Sequence, residues 1–196
     1  MTTSIEQDKV TDKRTVILQT TLQLLSERGF HNTPMSLIAE EAGVAAGTIY
    51  RYFDNKETLI NELFLDLKRE MLQHAMARIE PGDTTEEQFR KVWRNFFHYY
   101  VTHEDEMRFV EQHHNSPFQS GDVLAAVEEM YAPFANMFAV GVADGSFREL
   151  PMEMTSVYIY DVVLAFAKRQ LSGKLKMTDE LLEEAVQISW DAVKGT

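Results

Sequence analysis

The sequence predicts an all-α protein in which a small N-terminal helical domain is joined by a long helix to a larger helical body. Apolar residues recur at intervals of three and four along most of the chain, which is the periodicity of amphipathic helices. Capping residues and Pro/Gly breaks divide this pattern into separate segments. We expect about nine helices, with a disordered tail at residues 1–9, a first domain at residues 10–56 and a second domain at residues 57–196.

The composition is that of an ordinary globular protein, with 44% hydrophobic and 26% charged residues. The polar N-terminus predicts no signal peptide, and no apolar run approaches the 18 residues that would span a bilayer. The absence of cysteine excludes disulfides and thiolate metal sites. We expect a cytoplasmic protein with no membrane association and no cofactor.

The first helix is predicted to begin at Thr11 or Asp12 and to end near Arg28, because leucine and isoleucine side chains form a stripe at three and four residue spacing between these points. Gly29 follows as a helix stop. Thr33 is then predicted to cap the second helix, with Pro34 at its first position.

A helix-turn-helix is predicted around Gly43, which can take the positive φ required after a helix that ends at Ala42. The next helix is expected from Ala46 to Phe53, with Ile49 and Phe53 buried. The second helix of such a motif lies in the DNA major groove. The candidate DNA contacts are Thr33, Ser36, Ala45, Ala46, Gly47, Thr48, Tyr50, Arg51, Tyr52 and Lys56.

Several of these candidates have two interpretations. Arg51 can pair with guanine or reach only a phosphate, and Tyr50 can contact a phosphate or pack inside the domain. Ala46 and Gly47 either read a thymine methyl group or only allow close approach. For Thr33, capping and phosphate contact are compatible.

The same region resembles the N-terminal domain of the tetracycline-repressor (TetR) family of bacterial regulators. The matching positions, in order and spacing, are Gly29, Thr33, Ile38, Ala39, Ala42, Gly43, Val44, Gly47, Thr48, Ile49, Tyr50, Tyr52, Phe53, Lys56 and Glu57. The resemblance implies a homodimeric repressor that binds a palindromic DNA operator, is released by a small-molecule effector, and dimerises through its last two helices. The chain departs from the family pattern at Ala45, where serine is frequent.

The net charge of −12 has the wrong sign for a protein that binds a polyanion. Residues 1–56 carry a net charge of −1 and residues 57–196 a net charge of −11, so the acidity lies almost wholly in the second domain. DNA binding must then depend on the local placement of Lys13, Arg14, Arg51 and Lys56.

A long helix is predicted from Lys56 or Glu57 to Ile79, where leucines recur every four residues before the break at residues 81–83. At 1.5 Å per residue it would extend roughly 36 Å. Thr84 and Glu87 then form a capping box. The helix after them is rich in aromatic residues, which form either an ordinary core or the wall of an effector cavity.

The candidate cavity residues are Trp93, Phe96, Phe97, Tyr100, Phe109, His113, Phe134, Phe138, Tyr158 and Asp161. Pro133 is predicted to kink a helix that runs to Val142 and so to open space beside them. Asp161 lies at the surface or pairs with a cationic ligand or with Lys168. An acidic, aromatic body favours an apolar, neutral or cationic effector, although surface acidity commonly serves solubility alone.

The last two helices are predicted at residues 152–171 and 178–194, with Thr178 as the cap of the second. In that helix Leu181, Ala185, Ile188 and Ala192 form an apolar seam for packing on other helices.

Two other functions remain open from the sequence. Glu111-x-x-His114 is one half of the ligand set of a helical-bundle carboxylate metal enzyme, but no second Glu-x-x-His pair is present. An adaptor that retains the helix-turn-helix only for packing would show no salt-dependent DNA binding.

Overall fold

The computed structural model describes the backbone of residues 2–196 and the side chains of residues 13–196. The first helix begins at Thr2, so the predicted start at Thr11 or Asp12 was wrong, and residues 2–9, which were predicted to form a disordered tail, have helical backbone. The helices are α1 Thr2–Arg28, α2 Met35–Glu41, α3 Ala46–Tyr52, α4 Lys56–Ala75, α5 Thr85–Thr102, α6 Glu104–His114, α7 Gly121–Met130, α8 Ala132–Ala143, α9 Met152–Ser156, α10 Val162–Leu171 and α11 Asp179–Val193, with a π-helical turn at Val157–Asp161.

The chain divides into two compact units. Unit 1 comprises Met1–Leu67 and Asp105–Leu124, and unit 2 comprises Lys68–Glu104 and Ala125–Thr196. This division does not follow the predicted boundary after residue 56, because the first part of α4 and the whole of α6 except its first residue group with the N-terminal helices.

The helix-turn-helix of unit 1 has the predicted local structure. Gly29 ends α1 with a φ of 71°, and Gly43 follows α2 with a φ of 64°. A side chain other than glycine rarely adopts this region. Ile49 and Phe53 are fully buried, as predicted, and anchor α3 against the preceding helices.

The predicted cap of α2 was wrong. Pro34 itself occupies the N-cap position, and no side chain caps the helix. Thr33 points inward instead: its hydroxyl donates to the carbonyls of Gly29 at 2.9 Å and Leu24 at 3.4 Å. It therefore joins the end of α1 to the start of α2.

Helix α4 is shorter than predicted and ends at Ala75, not at Ile79. Arg78 takes a φ of 65°, which is incompatible with a continuing helix. The Asn95 amide donates to the carbonyls of Ala75 at 3.0 Å and Ala77 at 2.8 Å. These bonds satisfy carbonyl groups that a helix end leaves without partners.

Helix α5 forms the centre of unit 2. Its capping box of Thr84 and Glu87 is present as predicted, and its aromatic face is buried against α10 and α11. Gly141 of α8 allows a close approach, since a Cβ there would lie 2.2 Å from the Phe147 ring.

Two predicted helices are each divided, so that the described part of the chain has eleven α-helices where about nine were predicted. The predicted kink at Pro133 was wrong: α7 stops at Met130, and Pro133 lies in the first turn of α8, where its missing N–H costs no hydrogen bond. The helix predicted at residues 152–171 is interrupted by the π-helical turn at Val157–Asp161.

Thr178 caps α11 as predicted, accepting a hydrogen bond from the Leu181 N–H. The apolar seam predicted for α11 does not coincide with the buried face of this helix. Leu181 is 41% exposed and Ile188 is 63% exposed, whereas Val186 and Trp190 are buried. The exposed apolar pair thus has no partner within the described residues of unit 2.

Candidate DNA-binding surface and effector cavity

The outer face of α3 carries small and polar side chains on a buried anchor. Tyr50 is 53% exposed, and Arg51 is also exposed. Most of the other candidate contacts of this motif are exposed or half-buried, namely Ser36, Ala45, Ala46, Gly47, Thr48, Tyr52 and Lys56. Thr33 is the exception, because it is fully buried with its hydroxyl engaged.

Two of the four cations expected to support DNA binding have partners inside unit 1. The Arg14 guanidinium pairs with Glu62 at 2.8 Å and Asp66 at 3.0 Å. Burial opposes its charge, but these hydrogen bonds outweigh that effect and raise the pKa of Arg14. Lys56 donates to the Phe30 carbonyl, and partial burial lowers the pKa of Lys56. Lys13 and Arg51 are exposed.

Phe109 and His113, which were expected beside the effector cavity, belong to unit 1. The His113 ring stacks on Phe64 with centroids 3.8 Å apart, and its Nε2 lies 2.9 Å from the Asn61 Oδ1. Phe109 is fully buried and contacts Phe30. Both residues pack α6 within unit 1, because the chain returns to this unit after α5.

The structure lends no support to a metal site at Glu111 and His114. Among the residues whose side chains are described, no group of three or more His, Asp or Glu side chains could hold a metal ion.

An apolar cavity of about 110 Å³ lies within unit 2. Three of the predicted effector residues, Phe96, Phe134 and Phe138, contribute to its wall. The other lining residues are Tyr131, Ala135, Met152, Ser156, Ile159 and Tyr160. The cavity is therefore lined by α5, α8, α9 and the π-helical turn.

The other predicted cavity residues of unit 2 lie elsewhere. Trp93 and Phe97 are buried and pack on each other with centroids 6.2 Å apart, and the Tyr100 hydroxyl lies 3.5 Å from the Met71 sulfur. Asp161 is exposed and Tyr158 is half-buried, and neither lines the cavity. None of these five residues lines the cavity: Trp93, Phe97 and Tyr100 are buried in the core, and Tyr158 and Asp161 lie outside its wall.

A groove of about 320 Å³ lies beside the cavity in unit 2. It is lined by Arg69, Leu72, Gln73, Met76, Glu129, Met130, Pro133 and Phe134. Phe134 lines both spaces, which are therefore adjacent.

Sequence reasoning missed Lys68, which is 1% exposed. Its Nζ donates to the Tyr131 hydroxyl at 3.0 Å and lies 5.3 Å and 4.9 Å from the ring centroids of Tyr131 and Tyr160. Burial lowers the pKa of Lys68 to about 7. Its position four residues after Phe64 and four before Leu72, both buried, was the available signal.

No helix of the described chain combines the length and the apolar character needed to cross a membrane.

Two family models match the chain and together cover most of it. Residues 17–63 match the model for bacterial regulatory proteins of the tetR family, and residues 85–194 match the tetracyclin repressor-like C-terminal domain. The chain belongs to the TetR family. It is a DNA-binding transcriptional regulator and not an enzyme, and regulators of this family bind DNA operators and small-molecule effectors and are usually dimers.

Full-length relatives agree with this assignment. The TetR regulator described here is 31% identical over 189 residues to an uncharacterized HTH-type transcriptional regulator of Haemophilus influenzae, covering 94% of this chain and 97% of the relative. A TetR family regulator from Marinobacter aquaeolei has a TM-score of 0.89 at 25% identity, covering 97% and 99% of the two chains. Bacillus subtilis FadR, solved in complex with stearoyl-CoA, shares the fold with a TM-score of 0.71 at 20% identity, covering 89% and 96%.

Proposed function

We propose that this TetR regulator is a homodimeric repressor whose two α3 helices enter successive major grooves of a palindromic operator. The exposed face of α3 carries this proposal, because Tyr50 and Arg51 project from a helix that Ile49 fixes to the core. Two helices related by a twofold axis would meet half-sites about one helical turn, roughly 34 Å, apart.

The contacts of α3 have different roles in this proposal. Arg51 is the long exposed cation of the helix, and its guanidinium can pair bidentately with guanine. Tyr50 would contact a phosphate, and the small side chains of Ala46 and Gly47 allow the backbone to approach the DNA. Thr33 would act indirectly, by fixing the connection between α1 and α2. Lys56 would contribute less than Arg51, because the Phe30 carbonyl already accepts from its ammonium group.

We further propose dimerisation through the last two helices. Leu181 and Ile188 lie seven residues apart on one face of α11, and both are exposed. Val157, at the start of the π-helical turn that leads into α10, is 41% exposed. A twofold-related copy would cover these apolar side chains and thereby bury apolar surface, which favours association.

The effector would bind in the cavity of unit 2. Its volume of about 110 Å³ is below the roughly 300 Å³ of small ligand sites, so an effector must enlarge it. Rotation of the Phe134 ring would join the cavity to the neighbouring groove. A ligand that binds the enlarged state better shifts the protein toward that state, and repression ends if that state binds the operator less tightly. FadR, solved with stearoyl-CoA, is a precedent for effector binding in this fold.

Selection of bound sequences from a random duplex pool tests the DNA-binding part of the proposal. Purified protein at physiological salt should enrich a palindrome with half-sites about one turn apart. Arg51→Ala should weaken binding by about 1–3 kcal/mol and relax the preference at one base position. Tyr50→Ala should weaken binding equally at all sequences. An unselective pool from dimeric, folded protein would contradict the proposal.

The dimer interface is tested separately by sedimentation at micromolar concentration. The double variant Leu181→Glu/Ile188→Glu should sediment as a monomer and lose operator affinity. Val140→Glu provides the matched control, since Val140 is an exposed apolar residue of α8, which is not one of the two helices of the proposed interface. A dimeric double variant would refute this interface.

A further inference from the structure

A buried amine lies directly behind the wall of the effector cavity. Lys68 comes from α4, and its Nζ lies against the rings of Tyr131 and Tyr160, both of which line the cavity. Among the side chains of residues 13–196, no carboxylate forms an ion pair with Lys68, and its hydrogen-bond partner is the Tyr131 hydroxyl. A buried charge is normally paired, so this position calls for an anionic partner.

In the hydrogen bond between Lys68 and Tyr131, the lysine is the donor. When protonated, the Lys68 ammonium group only donates, so the Tyr131 oxygen accepts and its own proton remains available for a second bond. Within the described part of the chain, that proton has no hydrogen-bond acceptor. The Tyr131 hydroxyl is therefore a donor backed by a positive charge, and it belongs to a ring that forms part of the cavity wall.

We propose that the cavity of unit 2 binds an apolar monocarboxylate, whose carboxylate accepts a hydrogen bond from the Tyr131 hydroxyl and pairs with Lys68. The hydrocarbon part of the ligand lies against Phe96, Phe134 and Phe138. This inference deepens the proposed function and rests on it, because it names the chemical class of the effector.

The electrostatics of the cavity favour an acid over a neutral or cationic ligand. Burial lowers the pKa of Lys68, which means that the ammonium form lacks solvation there. A carboxylate supplies the missing opposite charge, and charge-assisted hydrogen bonds are about twice as strong as neutral ones. An alcohol supplies no charge, and an amine adds a second cation. The acidic, aromatic body had favoured an apolar, neutral or cationic effector, but Asp161, the carboxylate considered as a partner for a cationic ligand, is exposed and lies outside the cavity wall.

The surrounding acidic groups add little repulsion of a bound carboxylate. Tyr100 and Tyr131 stay neutral at physiological pH because burial raises the pKa of each. Asp161 adds to the raised pKa of Tyr131, and its repulsion of a ligand anion is weakened by its exposure to solvent.

Calorimetric titration with octanoate, octanol and octylamine at pH 6, where Lys68 with its pKa of about 7 is protonated, tests the ligand class. Wild type should bind octanoate at least about tenfold more tightly than octanol, which corresponds to about 1.4 kcal/mol, and should bind octylamine more weakly than octanol. Lys68→Met should bind octanol as wild type does while preferring octanoate by less than about twofold. Equal affinity of wild type for acid and alcohol, or a retained preference in Lys68→Met, overturns the proposal.

Two further variants make this test specific. Tyr131→Phe removes the donor but keeps the ring, so the preference for octanoate should fall while octanol affinity is kept. Lys174→Met removes an exposed lysine of the same unit and should leave the preference unchanged.

An octanoyl-CoA titration separates the free acid from its thioester. Tighter binding of the thioester, with equal affinity in wild type and Lys68→Met, also overturns the proposal.

Operator binding is measured on the same samples without any probe. Failure of the proposed function appears there as absent DNA binding by folded wild type. Failure of the present inference appears as DNA binding that is intact together with no preference for octanoate. Success appears as a carboxylate preference that depends on Lys68, with octanoate lowering operator affinity in wild type and not in Lys68→Met.

Discussion

The cations of the two units differ in the partners of their charged groups. In unit 1, Arg14 is held by Glu62 and Asp66, and Lys56 donates to a backbone carbonyl. In unit 2, Lys68 is more deeply buried and rests on two aromatic rings and one hydroxyl. The partners of Arg14 thus favour its charged form and raise its pKa, whereas burial without a carboxylate partner disfavours the charged form of Lys68 and lowers its pKa.

The largest expected effect comes from Lys68→Met, which should stabilise the protein at low pH. Lys68 has a pKa of about 7 in the fold and an ordinary value of 10.5. Between these values the unfolded chain binds a proton that the folded chain does not, so stability rises with pH across this window. At pH 6 the lowered pKa of Lys68 reduces the free energy of unfolding by its full amount, which is about 4–5 kcal/mol at 1.36 kcal/mol per pKa unit. After loss of the Tyr131 hydrogen bond, we expect Lys68→Met to gain about 3 kcal/mol.

Urea unfolding at pH 6 and pH 9.5 provides the measurement. The gain of Lys68→Met over wild type should be large at pH 6 and small at pH 9.5, while Lys174→Met should match wild type at both. A gain that is independent of pH would mean that Lys68 carries no titrating penalty, and the contrast between the units would then disappear.

The next effect concerns the packing of unit 2. Gly141→Ala places a methyl group 2.2 Å from the Phe147 ring and 2.7 Å from the Thr85 Cγ2. Overpacking of this kind costs about 1–3 kcal/mol. The free energy of unfolding should fall by that amount, as measured by thermal unfolding. Gly82→Ala, which meets open space, should change stability little; an equal loss in both would show that packing at Gly141 is not the cause.

The smallest effect should come from Arg14→Met in unit 1. The variant removes two ion pairs whose partners are more than one-third exposed, and such pairs contribute about 0.5–1 kcal/mol after solvent screening. Stability should therefore fall slightly, and 1 M salt should reduce the difference from wild type. A gain in stability would show that Arg14, like Lys68, is an unfavourable buried cation.

Some local signals of the sequence correctly predicted where helices begin and end. Gly29 and Gly43 end their helices because only a positive φ closes those turns, and the capping residues Thr84 and Thr178 mark helix starts through bonds to residues three positions along. These interactions span a few residues, so the sequence alone reveals them. The buried positions of Ile49 and Phe53 follow from the same short-range periodicity.

The cavity of unit 2 was only partly predictable, because distant segments form it. Phe96, Phe134 and Phe138 were identified from aromatic spacing, but whether an α5 aromatic lines the cavity or the core depends on its tertiary neighbours. Lys68 interrupts an otherwise apolar face of α4, and a lysine at such a place is more often exposed. Phe109 and His113 follow α5 directly in sequence yet pack in unit 1.

The π-helical turn at Val157–Asp161 also sets the rotation of α10 about its own axis, and hence which of its side chains face the core. A π turn contains one residue more than regular α-helical winding would need, and one residue corresponds to about 100° of rotation in an α-helix. Tyr160 of this turn lines the cavity, and Val163 and Ala167 of α10 lie in the core. Deleting one residue here would restore regular winding and turn α10 by about a quarter of a revolution. A change of one residue in this turn would thus alter which side chains of α10 face outward relative to the cavity wall.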